Sequence, residues 1–354
     1  MDSSNTKSYS DEHIRAAVLR NDMPDVTPAI KAIIHDCSDN SLHLSQEALP
    51  LPTSTQYLVQ VHAVGITRGE LAWLEPHQLP ALTAIPGFDV AAVVIKAPSE
   101  KSKYKPGDRV FAITAAERPA NAREITVIEE SEIAGIPANL SYIEAAAVPM
   151  SALTAAEALF ERGGCKYERG SSENEHRSIL IIGASGAVGI WTAQLAKWAG
   201  VGRIVGVCGT NNLDFVASLG AHAVIDHTLE SLRGLMSAGG EQCKFDLVVD
   251  GVGGRMLGEA WTAVKNNGRL LSIAQPIEGS KPATGVSEGV EATFFIVSML
   301  GERLQRLSTL IEEGYVKSVV DSVYPWDDFQ KAFDYVETGR AKGKIVLRVL
   351  DPAD

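Results

Sequence analysis

Cysteine is scarce in this chain, and none of it is spaced for pairing or metal binding. Cys37, Cys165, Cys208 and Cys243 are the only four in 354 residues, and no CxxC occurs. The pattern suggests neither a structural zinc nor a redox dithiol, and a disulfide framework is not expected in so long a chain. Positive charge is also short, with 32 Lys and Arg against 44 Asp and Glu and a net charge of −12. That balance argues against nucleic acid or an anionic membrane as the main partner. No apolar run approaches membrane-spanning length. The opening MDSSNTKSYSDEH carries acids and lacks an apolar centre, so it reads as neither a secretory signal nor a transit peptide, and the expectation is a cytoplasmic protein. What the chain does have is 45% hydrophobic residues, enough for full cores in two domains of ordinary size.

The chain is organised around Arg177 to Gly200, RSILIIGASGAVGIWTAQLAKWAG. Ser178 to Ile182 is a short β-branched, apolar run, which reads as an inner strand of a parallel sheet. A turn through Gly183, Ser185, Gly186 and Gly189 follows. Val188, Trp191, Leu195 and Trp198 then repeat at helical steps, and Gly200 is the stop. Strand, glycine turn and helix form a dinucleotide-binding unit. Glycines let the backbone approach a pyrophosphate, and the free N–H groups and dipole of the helix N-terminus attract its charge.

Around this unit the texture divides. Residues 1–29 are polar and broken by Pro24 and Pro28, which predicts a loosely held arm. Short β-like runs begin at Ile30; Ile85 to Ala97 reads as a glycine turn followed by a strand, and Lys105 to Ile113 as a Pro-Gly turn followed by another. Thr67-Arg68-Gly69-Glu70 has the form of a capping box, Thr67 and Glu70 each satisfying the other's backbone N–H. SYIEAAAVPMSALTAAEALFERGG reads as two helical pieces broken at Pro149, the second ending at Gly163, and Cys165 to His176 as a charged loop. After the glycine turn, strands and helices alternate in an open parallel sheet. The last strand is expected to rejoin the β-rich region, which makes that region discontinuous.

IPGFDVAAVV, KPGDRVFA, AAAVPMSALTAAEAL, GASGAVG, KFDLVVDGVGG and GRAKGKIVL stand in the order of motifs that resemble the medium-chain dehydrogenase/reductase superfamily, specifically its zinc-free quinone oxidoreductase and enoyl-reductase branch. The resemblance covers about Ile30 to Val349. It implies an α/β protein with a GroES-like β-rich catalytic domain at 30–150 and 318–354 and a Rossmann-type doubly wound parallel sheet at 151–317. It also implies a substrate site between the two. Where zinc-dependent relatives place a cysteine and a Gly-His-Glu, this chain has Thr67 and Gly87-Phe88-Asp89, and neither threonine nor phenylalanine replaces a thiolate or imidazole ligand. No zinc is expected.

The end of the second Rossmann strand has no carboxylate before Asp214, which favours NADPH over NADH. Thr210, Asn211 and His227 are the candidate donors to its 2′-phosphate, with Asn211 equally readable as a helix N-cap and His227 as a loop residue. Gly183, Ser185, Gly186, Ala187, Val188 and Gly189 would hold the pyrophosphate. The resemblance adds Gly251, Val252, Ala274, Phe295 and Lys344 to the cofactor site.

The implied reaction is hydride transfer to the β-carbon of an enone, quinone or enoyl substrate, with charge developing on the carbonyl oxygen. Thr67 is the first candidate donor to that oxygen, and Thr154 matches a family threonine near the nicotinamide. Glu70 and His77 are the nearby titratable groups. Trp73 and Phe88 would shape an apolar pocket or fill core, and Arg68 would orient a carbonyl or face water. Two other readings stay open. One is a redox-neutral isomerase or cyclase in which Glu70 or His77 moves a proton; the other is a nucleotide-binding protein without turnover. The expected partner is a small, apolar enone-type molecule, and the expected state is a monomer or homodimer. Members of this branch serve detoxification, fatty-acid and polyketide reduction, and secondary metabolism, among which the sequence does not choose.

Overall fold

The structure is a computed structural model that describes residues 29–73 and 83–350. The expected arm, apart from Ala29, and His77 lie outside the described residues. The described residues divide into two compact units, one of those up to residue 150, 299–312 and those from 320 on, the other of residues 151–298 and 313–319.

The first unit is β-rich. Its strands begin with β1 (Ala29–Asp36), β2 (Ser41–Ala48) and β3 (Gln56–Ile66). The short helix α1 (Glu70–Trp73) and β4 (Thr83–Ala84) follow, then β5 (Asp89–Lys96), β6 (Arg109–Ile113), β7 (Ile125–Glu129) and β8 (Ile133–Gly135). Helix α2 (Tyr142–Ala146) starts in a complete capping box, Ser141 with Glu144. Pro149, which fits a first helical turn but not a helix interior, then opens α3 (Pro149–Ala156). β3 is buried along its whole length and pairs antiparallel with both β5 and β7, so even its polar Gln56, Gln60 and His62 are buried and no solvent-facing row alternates along it.

The second unit is built on strands β9 (Ser178–Ile182), β10 (Arg203–Cys208), β11 (Ala223–Asp226), β12 (Phe245–Asp250), β13 (Val264–Ser272) and β14 (Glu291–Phe294). All pair in parallel in the order β11-β10-β9-β12-β13-β14, the doubly wound arrangement whose ligand crevice lies at the carboxyl ends of the strands where the order reverses, between β9 and β12. Helices α4 (Ala187–Trp198), α5 (Leu213–Ser218), α6 (Leu232–Gly239) and α7 (Gly254–Ala260) connect them. α4 is buried without a break from Gly189 to Ala196, so it is a core helix rather than a half-wet one. The edge strand β14 has only four residues and leaves no readable pattern. The loop of residues 165–176 is well anchored: Asn174, fully buried, bonds the backbone of Lys166 and of Ala199.

The chain then returns to the first unit through α8 (Gly301–Glu312), β15 (Val320–Pro325), α9 (Phe329–Glu337) and β16 (Lys344–Arg348). β16 pairs antiparallel with β3, placing the last strand beside the first long one. α8 corrects an expected boundary. The expected Rossmann segment of residues 151–317 includes α8, whereas α8 packs on β8, with Gly301 N–H bonded to Ser131 O at 2.7 Å and Ser308 Oγ to Gly135 O at 3.0 Å. An amphipathic stripe such as Leu304, Leu307 and Ile311 says that a helix covers an apolar surface, not which one. Among the described residues, no helix is long and apolar enough to cross a membrane.

Candidate active site

In the β-rich unit four segments converge on a buried charged cluster. The turn after β3 carries Thr67 and, through Gly69 at φ +79°, leads into Glu70. Sheet register sets Gly65 opposite Asp89 and Ile66 opposite Ile345, so Asp89 and Lys344 enter from the two strands flanking β3. Gly65 makes the room. A Cβ there would lie 2.2 Å from Ala146 O and 3.0 Å from both Asp89 Cβ and Lys344 Cε.

Glu70 and Asp89 are fully buried and Lys344 is 3% exposed. Lys344 Nζ pairs with Asp89 Oδ2 at 2.6 Å and donates to Thr67 Oγ1, while Asp89 Oδ1 accepts from Met150 N–H at 2.7 Å. Glu70 accepts two backbone N–H groups, Thr67 at 3.0 Å and Gly87 at 3.1 Å. The cluster thus holds two carboxyls for one ammonium. Burial pushes the Glu70 carboxyl up to about 8, against the pull of Lys344 and the two amides and with the nearby Asp89 charge adding to the rise. Burial raises Asp89 as well, with Lys344 opposing.

Thr67 is the half-exposed member of this cluster. Its oxygen is held by the Lys344 ammonium and its proton points to Met150 Sδ at 3.3 Å, a weak acceptor. Such a hydroxyl is poised to donate to a better acceptor. The expected capping box is therefore only half formed. Glu70 does reach back to Thr67 N–H, but Glu70 N–H bonds Thr67's carbonyl at 3.3 Å rather than its hydroxyl, because Lys344 has claimed that oxygen. Lys344 itself, expected at the cofactor, is turned into this cluster. Phe88 is 1% exposed and packs as core, and the exposed Arg68 lies over the Gly339 turn. Trp73 ends α1.

In the parallel-sheet unit the glycine turn has the predicted form. Gly183 sits at φ +80°, and a Cβ on Gly189 would meet Gly183 O at 2.3 Å, so the helix can start this close to the strand only without a side chain there. α4 opens at Gly186 with no side-chain cap, leaving its first N–H groups for a ligand. Ala187 and Val188 form that first turn. At the end of β12, buried Asp250 accepts from Val252 N–H and Gly253 N–H, fixing the turn of Gly251 and Val252. Val252, 47% exposed, would lie 3.0 Å from a Cβ on Gly183, an open apolar face beside the glycine turn. Ala274 is exposed after β13, Phe295 is buried beneath the Arg162 guanidinium at 4.6 Å, and Thr154 is buried in α3.

The carboxyl end of β10 departs from expectation. Thr210 Oγ1 donates to Asp226 Oδ2 at 2.6 Å, and Thr228 Oγ1 donates to Asp226 Oδ1 at 2.7 Å. Thr210's proton is thus already used, and a carboxylate does stand beside the end of β10, supplied by β11. His227 Nε2 lies 3.8 Å from where a Cβ on Gly209 would be, and the helix N-cap is Asn212 rather than Asn211. Asn212 is the residue that sequence reasoning missed. It donates from Nδ2 to Ser185 Oγ at 3.2 Å, and its buried Oδ1 has no partner, as a ligand hydroxyl would supply. The turn, the uncapped helix and this orphaned oxygen fit a dinucleotide.

Residues 53–158 match the alcohol dehydrogenase GroES-like domain, and residues 219–347 match a zinc-binding dehydrogenase model. A protein of Arthroderma benhamiae named "Probable zinc-binding oxidoreductase, mitochondrial" is 38% identical over 90% of this chain and 97% of its own length. The chain belongs to the medium-chain dehydrogenase/reductase superfamily. Within that superfamily the "NADPH-dependent alkenal/one oxidoreductase, chloroplastic" of Arabidopsis thaliana is 33% identical over 75% of this chain, which spans 64% of that protein's length. The fold is shared with a quinone oxidoreductase from Coxiella burnetii at a TM-score of 0.78 and 23% identity, covering 91% of this chain and all of that one. These relatives make the chain an oxidoreductase of the nicotinamide-dependent kind.

The donor set does not fit the zinc of the superfamily's metal-dependent members. Thr67 and Phe88 offer neither thiolate nor imidazole, and among the described residues no three His, Cys, Asp or Glu side chains converge on a metal position. The positive charge beside Thr67 and Asp89 is Lys344's ammonium.

Proposed function

We propose that this protein is a zinc-independent, NADPH-dependent reductase of activated C=C bonds in a small, apolar enone, quinone or enoyl substrate. The observation that carries this reading is the Thr67 hydroxyl, oxygen against Lys344 and proton facing only a thioether. NADPH, when bound, supplies the hydride. Gly183 to Gly189 and the N-terminus of α4 would hold its pyrophosphate, and Asn212 a ribose hydroxyl. Thr67 donates its proton in a hydrogen bond to the substrate carbonyl. As negative charge grows on that oxygen, the Thr67 dipole is reinforced from behind by Lys344, which Asp89 holds in place. The 3% exposure of Lys344 keeps this charge in low dielectric, where it acts more strongly than in water.

The preference for NADPH draws on the name of the Arabidopsis relative and on His227 beside the turn after β10, where both oxygens of the Asp226 carboxylate are held by Thr210 and Thr228. Glu70 does not present itself as a proton carrier, since it is fully buried with both oxygens on backbone amides, which disfavours the isomerase reading.

The test is incubation of purified protein with but-3-en-2-one and cyclic enones, using NADPH deuterated at the transferable position and reading product mass. Deuterium at the β-carbon is expected. Product of unchanged mass without NADPH consumption would favour isomerisation, and tight NADPH binding without any product would favour a nucleotide-binding role.

A further inference from the structure

The hairpin of β1 and β2 carries a second reactive constellation, in the β-rich unit and outside the cluster described above. His35, the penultimate residue of β1, is fully buried, paired in register with Leu42 on one side and Ala84 on the other. Two residues on, Cys37 begins the turn and is half-buried. Cys37 Sγ lies 3.7 Å from His35 Nδ1, and His35 Nε2 lies 2.7 Å from Asn40 Oδ1. Asn40 reaches back because its backbone is left-handed, at φ +58°. The turn is braced on both sides, with Asp36 Oδ1 accepting from Ser38 N–H and Ser38 Oγ, and Asp39 Oδ1 accepting from Ser41 N–H.

We propose that Cys37, His35 and Asn40 form a thiol–imidazole–amide relay that makes Cys37 a site of covalent modification by soft electrophiles, in particular α,β-unsaturated ketones. Asn40 Oδ1 accepts from Nε2–H, which leaves Nδ1 as the lone-pair nitrogen facing the thiol. The thiol proton passes to Nδ1 as sulfur attacks. The sulfur lone pair forms a C–S bond at the β-carbon, the π pair moves toward the carbonyl, and the α-carbon takes the proton that His35 received. The addition is redox-neutral and needs no further reactant. Among the described residues, the charged and titratable neighbours are Asp36 and Asp39 from the turn and His43 from β2, while β4 contributes none. The partly exposed sulfur gives the electrophile access, with the imidazole already within reach of the thiol proton.

The other thiols serve as internal comparisons. Burial pushes Cys165 up to about 11 and raises Cys208 as well, so both are poor nucleophiles. Cys243 is half-buried like Cys37, but among the described residues no imidazole is hydrogen-bonded to it. The experiment treats the folded, full-length protein with limiting but-3-en-2-one without NADPH and follows the mass gain at each cysteine by peptide mapping. Cys37 should react faster than Cys243 by on the order of tenfold or more. His35→Gln should bring it down to the Cys243 rate. Asn40→Gly keeps the positive φ but removes the acceptor, so it should slow Cys37 severalfold, whereas Asn40→Asp should leave it as fast or faster. Loosening of the turn alone would expose sulfur and speed alkylation, the opposite sign. A Cys37 rate equal to that of Cys243, or one unchanged in a folded His35→Gln, would overturn the relay. Should His35→Gln not fold, an unchanged rate in the surface variant Asn40→Gly would overturn it equally.

Discussion

The two candidate ligand-facing regions are built on opposite plans. In the parallel-sheet unit the binding feature is one continuous stretch, Gly183 to Gly189, whose chemistry is backbone and whose residues are defined by what they lack. In the β-rich unit the feature is four side chains from three distant parts of the chain, Thr67 and Glu70, Asp89, and Lys344, assembled by strand register and defined by charge. A backbone site tolerates changes of charge but not of volume. A charged buried site is the reverse, and substitutions at the two should fail in different ways.

The largest effect is expected at Lys344. Lys344→Met keeps length and apolar volume but leaves Asp89 buried without its cation, so the loss of stability should be about 3–5 kcal/mol by urea denaturation. Adding Asp89→Asn in the same chain should recover a large part of it. A double variant no more stable than the single would mean that the pair contributes by packing rather than by charge. Next comes Thr67→Val, which preserves shape. kcat for enone reduction should fall on the order of 10²–10³, with NADPH affinity unchanged and with Thr67→Ser recovering much of the rate. Equal losses in Val and Ser would point to the methyl group instead of the hydroxyl. In the other unit, Gly189→Ala drives a Cβ to within 2.3 Å of Gly183 O, so it should weaken NADPH binding in a fluorescence titration and destabilise the protein by about 1–3 kcal/mol. It should leave the Lys344 cluster untouched, with the response to Lys344→Met the same in both backgrounds.

The contrast also explains what could be read from the chain. The strand, glycine turn and helix are legible because the constraint is local: Gly189 must be glycine for reasons five and six residues away, at Ala184 and Gly183. The β pattern around Ile345 marks a strand, and its pairing with β3 in the β-rich unit is set by register that the pattern alone does not name. The role of Lys344 is not legible. Its partners Thr67 and Asp89 are far off in sequence, and the resemblance points Lys344 to the cofactor instead. The engagement of Thr210 is hidden for the same reason, since the carboxylate that takes its proton comes from the adjacent strand β11. Asn212 had a weak signal, as one of two consecutive asparagines at a helix start, and only the unpartnered Oδ1 tells them apart. His35, Cys37 and Asn40 resemble no motif, because a hairpin turn brought them together.

The finest test of the comparison is the pH dependence of stability, which the charged cluster should impose and the backbone site should not. Glu70 titrates near 4.5 in an unfolded chain and about 8 in the folded one, so between those values the folded state holds a proton that unfolding releases. The Glu70 contribution to stability is therefore full below about pH 4.5 and declines as pH rises, until it is lost through about pH 8. Asp89, also raised by burial, works in the same direction. Asp226 and Asp246, lowered by hydrogen bonds to Thr210 and Ser178, work in the other, losing their contribution only in acid. Glu70→Gln isolates the first effect. Its amide keeps one acceptor, as the protonated acid does, so wild type and variant should be similar near pH 5, with wild type losing stability relative to the variant as pH approaches 9. Parallel melting curves across that range would mean that Glu70 is ionised throughout, with Lys344 and two amides outweighing burial.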